Sequence, residues 1–97
     1  MTKLGDEDVR RGLAGGDLPG WRHDRGEIFK NYTFDSFLDA IAFINRIAEK
    51  AEAANHHPDL ENRYNRVRVA LHTWSESAVT EKDFDLARQI ERAAEPP

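Results

Sequence analysis

The 97-residue sequence contains no cysteine, and this absence removes several kinds of site at once. A chain without thiols has no disulfide scaffold, no thiolate-bound zinc and no cysteine nucleophile. The lack of disulfides also fits a reducing compartment, so we expect a cytoplasmic protein. We expect one domain, residues 1–97, because a chain of this length has no room for a second hydrophobic core.

Long apolar runs and an excess of basic residues are also missing. No stretch approaches the ~18 apolar residues that a membrane-spanning helix needs. The acidic start of the chain, with Asp6, Glu7 and Asp8, is not typical of a signal peptide. The net charge of -4 argues against nucleic-acid binding through the whole surface. We therefore expect no membrane partner and no direct nucleic-acid partner.

The apolar periodicity predicts both helices and strands. Period-two alternation indicates strands, whereas apolar residues three and four positions apart indicate helices. The predicted order is helix, two strands, long helix, strand and helix, which is typical of an α+β domain rather than a parallel α/β domain. The predicted elements are a short helix at 6–13, a hairpin at 21–32, a long helix at 33–55, a polar loop at 59–62, a strand at 64–73 and a closing helix that begins where Thr80 and Asp83 resemble a capping box.

The long helix carries two apolar stripes. We expect one stripe to pack on the sheet and the other to meet a second helix or another subunit. Self-association would also compensate for the small core of a chain this short. The first stripe contains Phe34, Phe37, Ile41, Ile44, Ala48 and Ala51, and the second contains Leu38, Ala40, Phe43 and Ile47.

Two adjacent histidines, His56 and His57, follow the long helix and precede Pro58. Imidazole donates and accepts protons near neutral pH, so two such groups can serve as general acid and general base. Glu52 lies four residues before His56 and can orient one ring and fix its tautomer. A structural alternative is that the helix dipole simply favours histidines at a helix C-terminus. Spacing alone favours this structural alternative.

A metal site is a further alternative. Glu52, His56 and His57 offer a carboxylate and two imidazoles, and His23 or His72 could add a third imidazole. Consecutive histidines rarely point at one ion, however, and no HExxH-type spacing is present. We therefore expect no metal.

Two other features have competing interpretations. Arg63, Arg66 and Arg68 form a local basic patch on the last predicted strand, where an anionic partner would fit, but a solvated strand face is the simpler interpretation. Trp74 is expected in the core or at a subunit interface, with a stacking wall for a flat heterocycle as the alternative.

A longer pattern joins several of these residues. Its members, in order, are Glu52, His56-His57-Pro58, Tyr64, Trp74 and Asp83. Together with supporting matches at Trp21 and at 28–30, this spacing resembles the pterin-4a-carbinolamine dehydratase family, which is also known as the dimerisation cofactor of a homeodomain transcription factor. The resemblance runs from about Trp21 to Ile90, which is most of the chain.

The resemblance implies a fold, an assembly and a reaction. The implied fold is a four-stranded antiparallel sheet with three helices packed on one face. The implied assembly is a homodimer through sheet edges or a homotetramer through helices. The implied reaction removes water from 4a-hydroxytetrahydropterin to give quinonoid dihydropterin, which recycles the cofactor of aromatic amino acid hydroxylases, and it needs no cofactor. By the resemblance, His56 and His57 are catalytic with Glu52 as a supporting carboxylate, and Thr73, Trp74 and Asp83 bind the substrate at the pocket edge.

Three residues depart from the family pattern. Trp74 stands where a third histidine is usual, and an indole cannot exchange a proton at neutral pH. Leu60 stands where an aromatic residue often follows the His-His-Pro motif in this family. Ala78 stands in a loop where the family usually has glycine. His72 lies two positions before Trp74, and we expect it to point to the opposite face of the sheet. The alternative function is therefore a dehydratase-like interaction or assembly module with little or no activity.

Overall fold

Alternating apolar and polar residues build an antiparallel sheet against which the helices pack. In the computed structural model, which describes residues 3–95, the strands lie in the order β1-β2-β4-β3. This arrangement confirms the predicted α+β class; residues 1, 2, 96 and 97 of the predicted domain lie outside the described part. The elements are α1 (Asp6–Leu13), β1 (Arg22–Asp24), β2 (Glu27–Thr33), α2 (Phe37–Ala54), β3 (Asp59–Arg63), β4 (Arg66–Leu71) and α3 (Glu81–Ala94).

The segment predicted as a polar loop at 59–62 is instead the edge strand β3. Asp59 pairs with Ala70 of β4 in an antiparallel register. Tyr64, predicted as the first residue of a strand, lies in the hairpin turn between β3 and β4 with φ of 52°. The prediction was wrong because the side chains of this edge strand are mostly exposed, so the segment lacks the apolar alternation of a half-buried strand.

The first hairpin, predicted at 21–32, runs from Arg22 to Thr33. Its two-residue turn places Arg25 and Gly26 at φ of 50° and 77°. Positive φ at both positions gives the turn the twist of the flanking strands, and glycine adopts it without steric cost. The register then pairs Asp24 with Glu27 at the start of β2.

One side of α2 is buried, and the other carries exposed apolar side chains. The helix begins after Ser36, whose hydroxyl accepts a hydrogen bond from Asp39 N at 3.0 Å. Leu38, predicted in the stripe of Ala40, is 75% exposed. At 3.6 residues per turn it lies about 160° around the helix from Ala40, so the two cannot share a face. The buried residues of α2 are Ala40, Phe43, Ile47 and Ala51.

Within residues 3–95, no helix combines the length and the apolar character required to cross a membrane.

A carboxylate between the sheet and α3 collects three hydrogen bonds on one oxygen, Oε1 of Glu91. The donors are Trp21 Nε1 at 3.0 Å, Lys30 Nζ at 2.6 Å and the Tyr32 hydroxyl at 2.5 Å. Burial, followed by the hydrogen bond and negative charge of Glu91, raises the pKa of Tyr32 well above its ordinary range. This network fastens β2 to α3.

Candidate active site

The end of α2 determines where the two histidines point. Asn55 adopts the left-handed conformation, with φ of 49°. Its N–H donates to Glu52 O at 3.1 Å, and the N–H of His56 donates to Ala51 O at 3.1 Å. These two bonds form a Schellman motif, which ends the helix and turns the chain away from its axis. His56 and His57 therefore follow a sharp reversal rather than a continuing helix.

His56 points into the protein and meets a buried carboxylate. Its Nε2 lies 2.5 Å from Oδ1 of Asp83. The His56 side chain is 10% exposed, whereas that of Asp83 has no exposed surface. Asp83 reaches this position because it is the third residue of α3, where it completes the predicted capping box with Thr80. The same carboxylate therefore caps a helix and contacts a histidine.

The hydrogen bonds around Asp83 determine the tautomer of His56. Oδ2 of Asp83 accepts from the Thr73 hydroxyl at 2.9 Å and from Thr80 N at 2.9 Å. The Thr80 hydroxyl lies 2.7 Å from Thr73 Oγ1 and donates to it, because Thr73 gives its own proton to the carboxylate. Because the Asp83 carboxylate acts only as an acceptor, the hydrogen bond to His56 requires that Nε2 of the ring carries the proton. Nδ1 of His56 is then the acceptor nitrogen.

His57 points outward and pairs with a different carboxylate. Its Nε2 lies 2.7 Å from Oε2 of Glu52, and its side chain is 58% exposed. The sequence left open which histidine Glu52 would orient, and the structure pairs it with His57. An exposed pair of this kind contributes little to stability, so its effect is mainly to orient the ring.

The result is two imidazole–carboxylate pairs at one helix end, one buried and one exposed. In both pairs Nε2 faces the carboxylate, so Nδ1 is the nitrogen left for another molecule. Two imidazoles in different environments are what a reaction with one proton donor and one proton acceptor requires.

The other predicted site residues are divided between the interior and the surface. Thr73 is buried in the hydrogen-bond network of Asp83. Trp74 begins a short 3-10 turn and is 85% exposed, so the expectation of a core position was wrong. Leu60 is exposed as well. Trp74 therefore presents an exposed indole, and its ring centroid lies 6.2 Å from that of His72. The expectation that His72 points to the opposite face was wrong, because residues two apart along an extended chain share a side.

The sequence did not reveal how Asp83 and Thr80 take part. Asp83 was expected at the pocket edge, whereas the structure places its carboxylate in the interior, in contact with a histidine 27 positions away. Thr80 was predicted only as a helix cap. The capping box was the one sequence signal for this role of Asp83. A capping carboxylate has a fixed direction and can accept hydrogen bonds from other side chains as well as from the helix.

The chain is similar to known proteins along nearly its whole length. The family model described as pterin 4 alpha carbinolamine dehydratase matches residues 2–93. A protein of Acidobacterium capsulatum, named "Putative pterin-4-alpha-carbinolamine dehydratase", is 53% identical over 91 residues, which cover 94% of this chain and 97% of that protein. A protein of Thermomicrobium roseum with the same name is 40% identical over 94 residues, which cover 97% and 99%.

Two solved structures are also similar. A transcriptional coactivator/pterin dehydratase from Brucella melitensis matches with a TM-score of 0.91 at 35% identity, covering 97% of this chain and 100% of that one. A pterin dehydratase-like protein, identified as a RuBisCO assembly factor in the alpha-carboxysome, matches with a TM-score of 0.65 at 19% identity, covering 79% and 89%, and this likeness concerns the fold alone. Since the family model covers nearly the whole sequence, this chain belongs to the pterin-4a-carbinolamine dehydratase family.

Proposed function

We propose that this protein removes water from 4a-hydroxytetrahydropterin to give quinonoid dihydropterin by histidine acid–base catalysis. The observation that carries the proposal is the pair of differently placed imidazoles, with His56 held by Asp83 at 2.5 Å and His57 held by Glu52 at 2.7 Å. Membership of the family supports the choice of a pterin substrate.

The reaction needs two proton transfers. The 4a-hydroxyl accepts a proton and leaves as water, and the ring nitrogen loses a proton as the carbon–nitrogen double bond forms. One histidine supplies the first proton and the other accepts the second. His57 is the more exposed of the two histidines and can therefore contact the substrate more directly. We expect its replacement to lower the rate more than replacement of His56. Other residues support the two histidines. Glu52 orients His57, whereas Thr73 and Asp83 position His56. Trp74 has an exposed indole that stacks on the flat pterin ring.

Stopped-flow absorbance of freshly generated 4a-hydroxytetrahydropterin tests this proposal. We expect the wild-type protein to accelerate dehydration over the spontaneous rate, and His57→Ala to lose about 10²–10⁴-fold of that acceleration, because a positioned acid or base contributes this much. His23→Ala is the matched control and should keep the wild-type rate. His23 lies in β1, at the opposite edge of the sheet from β3, the strand that follows the two histidines.

The alternative is an interaction or assembly module that keeps the fold without the reaction. The exposed Trp74 in place of a third histidine is the observation that favours it. A wild-type rate equal to the spontaneous rate would support this alternative and overturn the dehydratase proposal. A wild-type acceleration that survives in His57→Ala would overturn the role of His57 alone.

We further propose that the protein self-associates as a homodimer or homotetramer. Leu38 and Phe37 leave an exposed apolar area on α2, and β3 leaves an open sheet edge. We expect Leu38→Glu to lower the sedimentation coefficient by dissociating subunits that meet through α2, while Tyr64→Ser, a change at the exposed hairpin turn, leaves it unchanged. An unchanged Leu38→Glu oligomer would place the contact elsewhere, and a monomeric wild type would overturn self-association.

A further inference from the structure

Three side chains that the proposed reaction does not use come together on the other side of the sheet. They are Glu27, Asp59 and His72, and one ligand atom from each lies within 4.8 Å of the other two. The residues come from the start of β2, the start of β3 and the position just after β4. Three adjacent strands therefore supply two carboxylates and an imidazole to one point.

The strand register explains why these residues meet. Ile28 pairs with Leu71, so the next positions along the two chains are Glu27 and His72. Asp59 pairs with Ala70, and residues two apart on a strand share a face, so Asp59 and His72 lie on the same side. The neighbouring residue Thr73 points the other way, into the Asp83 network.

The cluster has spare ligand capacity. Arg68 NH2 lies 2.9 Å from Oε2 of Glu27 and holds that carboxylate in place. Among residues 3–95, neither the Asp59 carboxylate nor the His72 ring makes a side-chain hydrogen bond or ion pair. A shallow cavity of about 330 Å³ adjoins the cluster, with Glu27, His72 and Trp74 in its lining, and it leaves room for water or a further ligand.

We propose that Glu27, Asp59 and His72 bind a first-row divalent transition-metal ion such as Zn²⁺, with the remaining position open to solvent. An imidazole ligand favours zinc and its neighbours over magnesium or calcium. Zinc binds nitrogen and oxygen at about 2.0–2.2 Å, so the three side chains need to close in by roughly an ångström. Two carboxylates offset the charge of the ion, and the Arg68 contact orients Glu27 in the way that outer-shell partners of metal ligands do.

The proposed site differs from the metal alternative considered for Glu52, His56 and His57. Its three ligands take no part in the proposed dehydration, although Trp74 lines the adjoining cavity. The sequence did not predict this site, because Glu27, Asp59 and His72 are far apart in the chain and meet only when β2, β3 and β4 pair. A bound ion would hold three strands together on the sheet face opposite the side chain of Thr73.

Isothermal titration of the full-length, tag-free protein with ZnCl2 alone tests the proposal, with the visible absorbance of Co²⁺ as a second readout. We expect the wild-type protein to bind one ion at this site. His72→Ala should raise the dissociation constant by more than tenfold, because even a change in a partner of a metal ligand lowers metal affinity by about 10–100-fold. Asp59→Asn, at an exposed residue, should weaken binding in the same direction and keeps the test independent of any effect of His72→Ala on folding. Circular dichroism checks that each variant is folded.

His57→Ala and Glu52→Gln are the matched controls, because they remove the other group of potential ligands. Both should bind zinc like the wild type. The proposal is overturned if the wild type binds no zinc, or if binding survives in His72→Ala and Asp59→Asn but is lost in His57→Ala or Glu52→Gln.

Discussion

Asp83→Asn is expected to lower the dehydration rate by about 10²–10⁴-fold while costing only about 1–3 kcal/mol of the free energy of unfolding. The amide can keep its oxygen toward Thr73 and Thr80 and turn its NH2 toward His56. Nε2 of His56 must then become an acceptor, so the ring proton moves to Nδ1, the nitrogen left for the substrate. The ring stays in place but carries its proton on the wrong side, which is the effect known for an aspartate that orients a catalytic histidine.

Asp85→Asn makes the same chemical change two residues further along α3. Asp85 is exposed, and Arg88 lies 3.2 Å from its carboxylate. Its effect on stability should stay within about 0.5 kcal/mol, and its rate should match the wild type. Stopped-flow absorbance gives the rates and urea unfolding gives the free energies. A wild-type rate in Asp83→Asn would mean that His56 takes no part in catalysis.

Glu91→Leu is expected to cost about 2–5 kcal/mol of the free energy of unfolding, because it leaves buried donors without an acceptor. Trp21 and Tyr32 are both buried, and each donates to Oε1 of Glu91. Lys30 is less affected, since its Nζ also donates to Pro19 O at 2.6 Å. Urea unfolding measures the loss.

Two variants separate the hydrogen bonds from the change in side-chain volume. Glu91→Gln keeps the shape and one acceptor oxygen, so its loss should be smaller than that of Glu91→Leu. Glu49→Leu replaces an exposed glutamate of α2 and should change stability by no more than about 0.5 kcal/mol. Equal stability of Glu91→Leu and wild type would show that this network contributes nothing net to folding.

The same network makes stability depend on alkaline pH through Tyr32. Burial and then Glu91 raise the pKa of Tyr32 above that of the unfolded chain, which is about 10. Above about pH 10 the unfolded chain has lost the phenol proton while the folded protein keeps it. This contribution to stability is therefore complete below about pH 10 and is lost as pH rises toward the folded pKa. Tyr32→Phe should lack this alkaline loss in urea unfolding followed from pH 8 to 11, and an identical slope in both proteins would contradict the assignment.

Local signals predicted the elements whose cause is local. The bounds of α1 and, within one residue, those of the first hairpin follow from charged and turn residues next to them in the chain. The capping box of Thr80 and Asp83 was visible for the same reason. β3 was missed because an exposed edge strand takes its structure from hydrogen bonds to β4, and these leave little trace in the hydrophobic pattern.

The candidate site was only partly predictable. The motif identified His56, His57 and Glu52, but their directions depend on the left-handed turn at Asn55 and on a carboxylate supplied by α3. Contacts such as Asp83 with His56 or Glu91 with Tyr32 join residues far apart in the chain, and the pairing itself has no signal in a single sequence. The spacing therefore predicts which residues form the site, and the fold determines which carboxylate serves which histidine.

The contact between His56 and Asp83 also sets the stage of synthesis at which the surroundings of His56 are completed. The two residues are 27 positions apart, so His56 leaves the ribosome well before its partner. Until the first turn of α3 forms and its cap closes, the imidazole has no carboxylate to hold it, even if the sheet and α2 are already in place. The proposed activity therefore depends on the docking of α3, and a chain that ends before α3 carries both histidines without the carboxylate that orients His56.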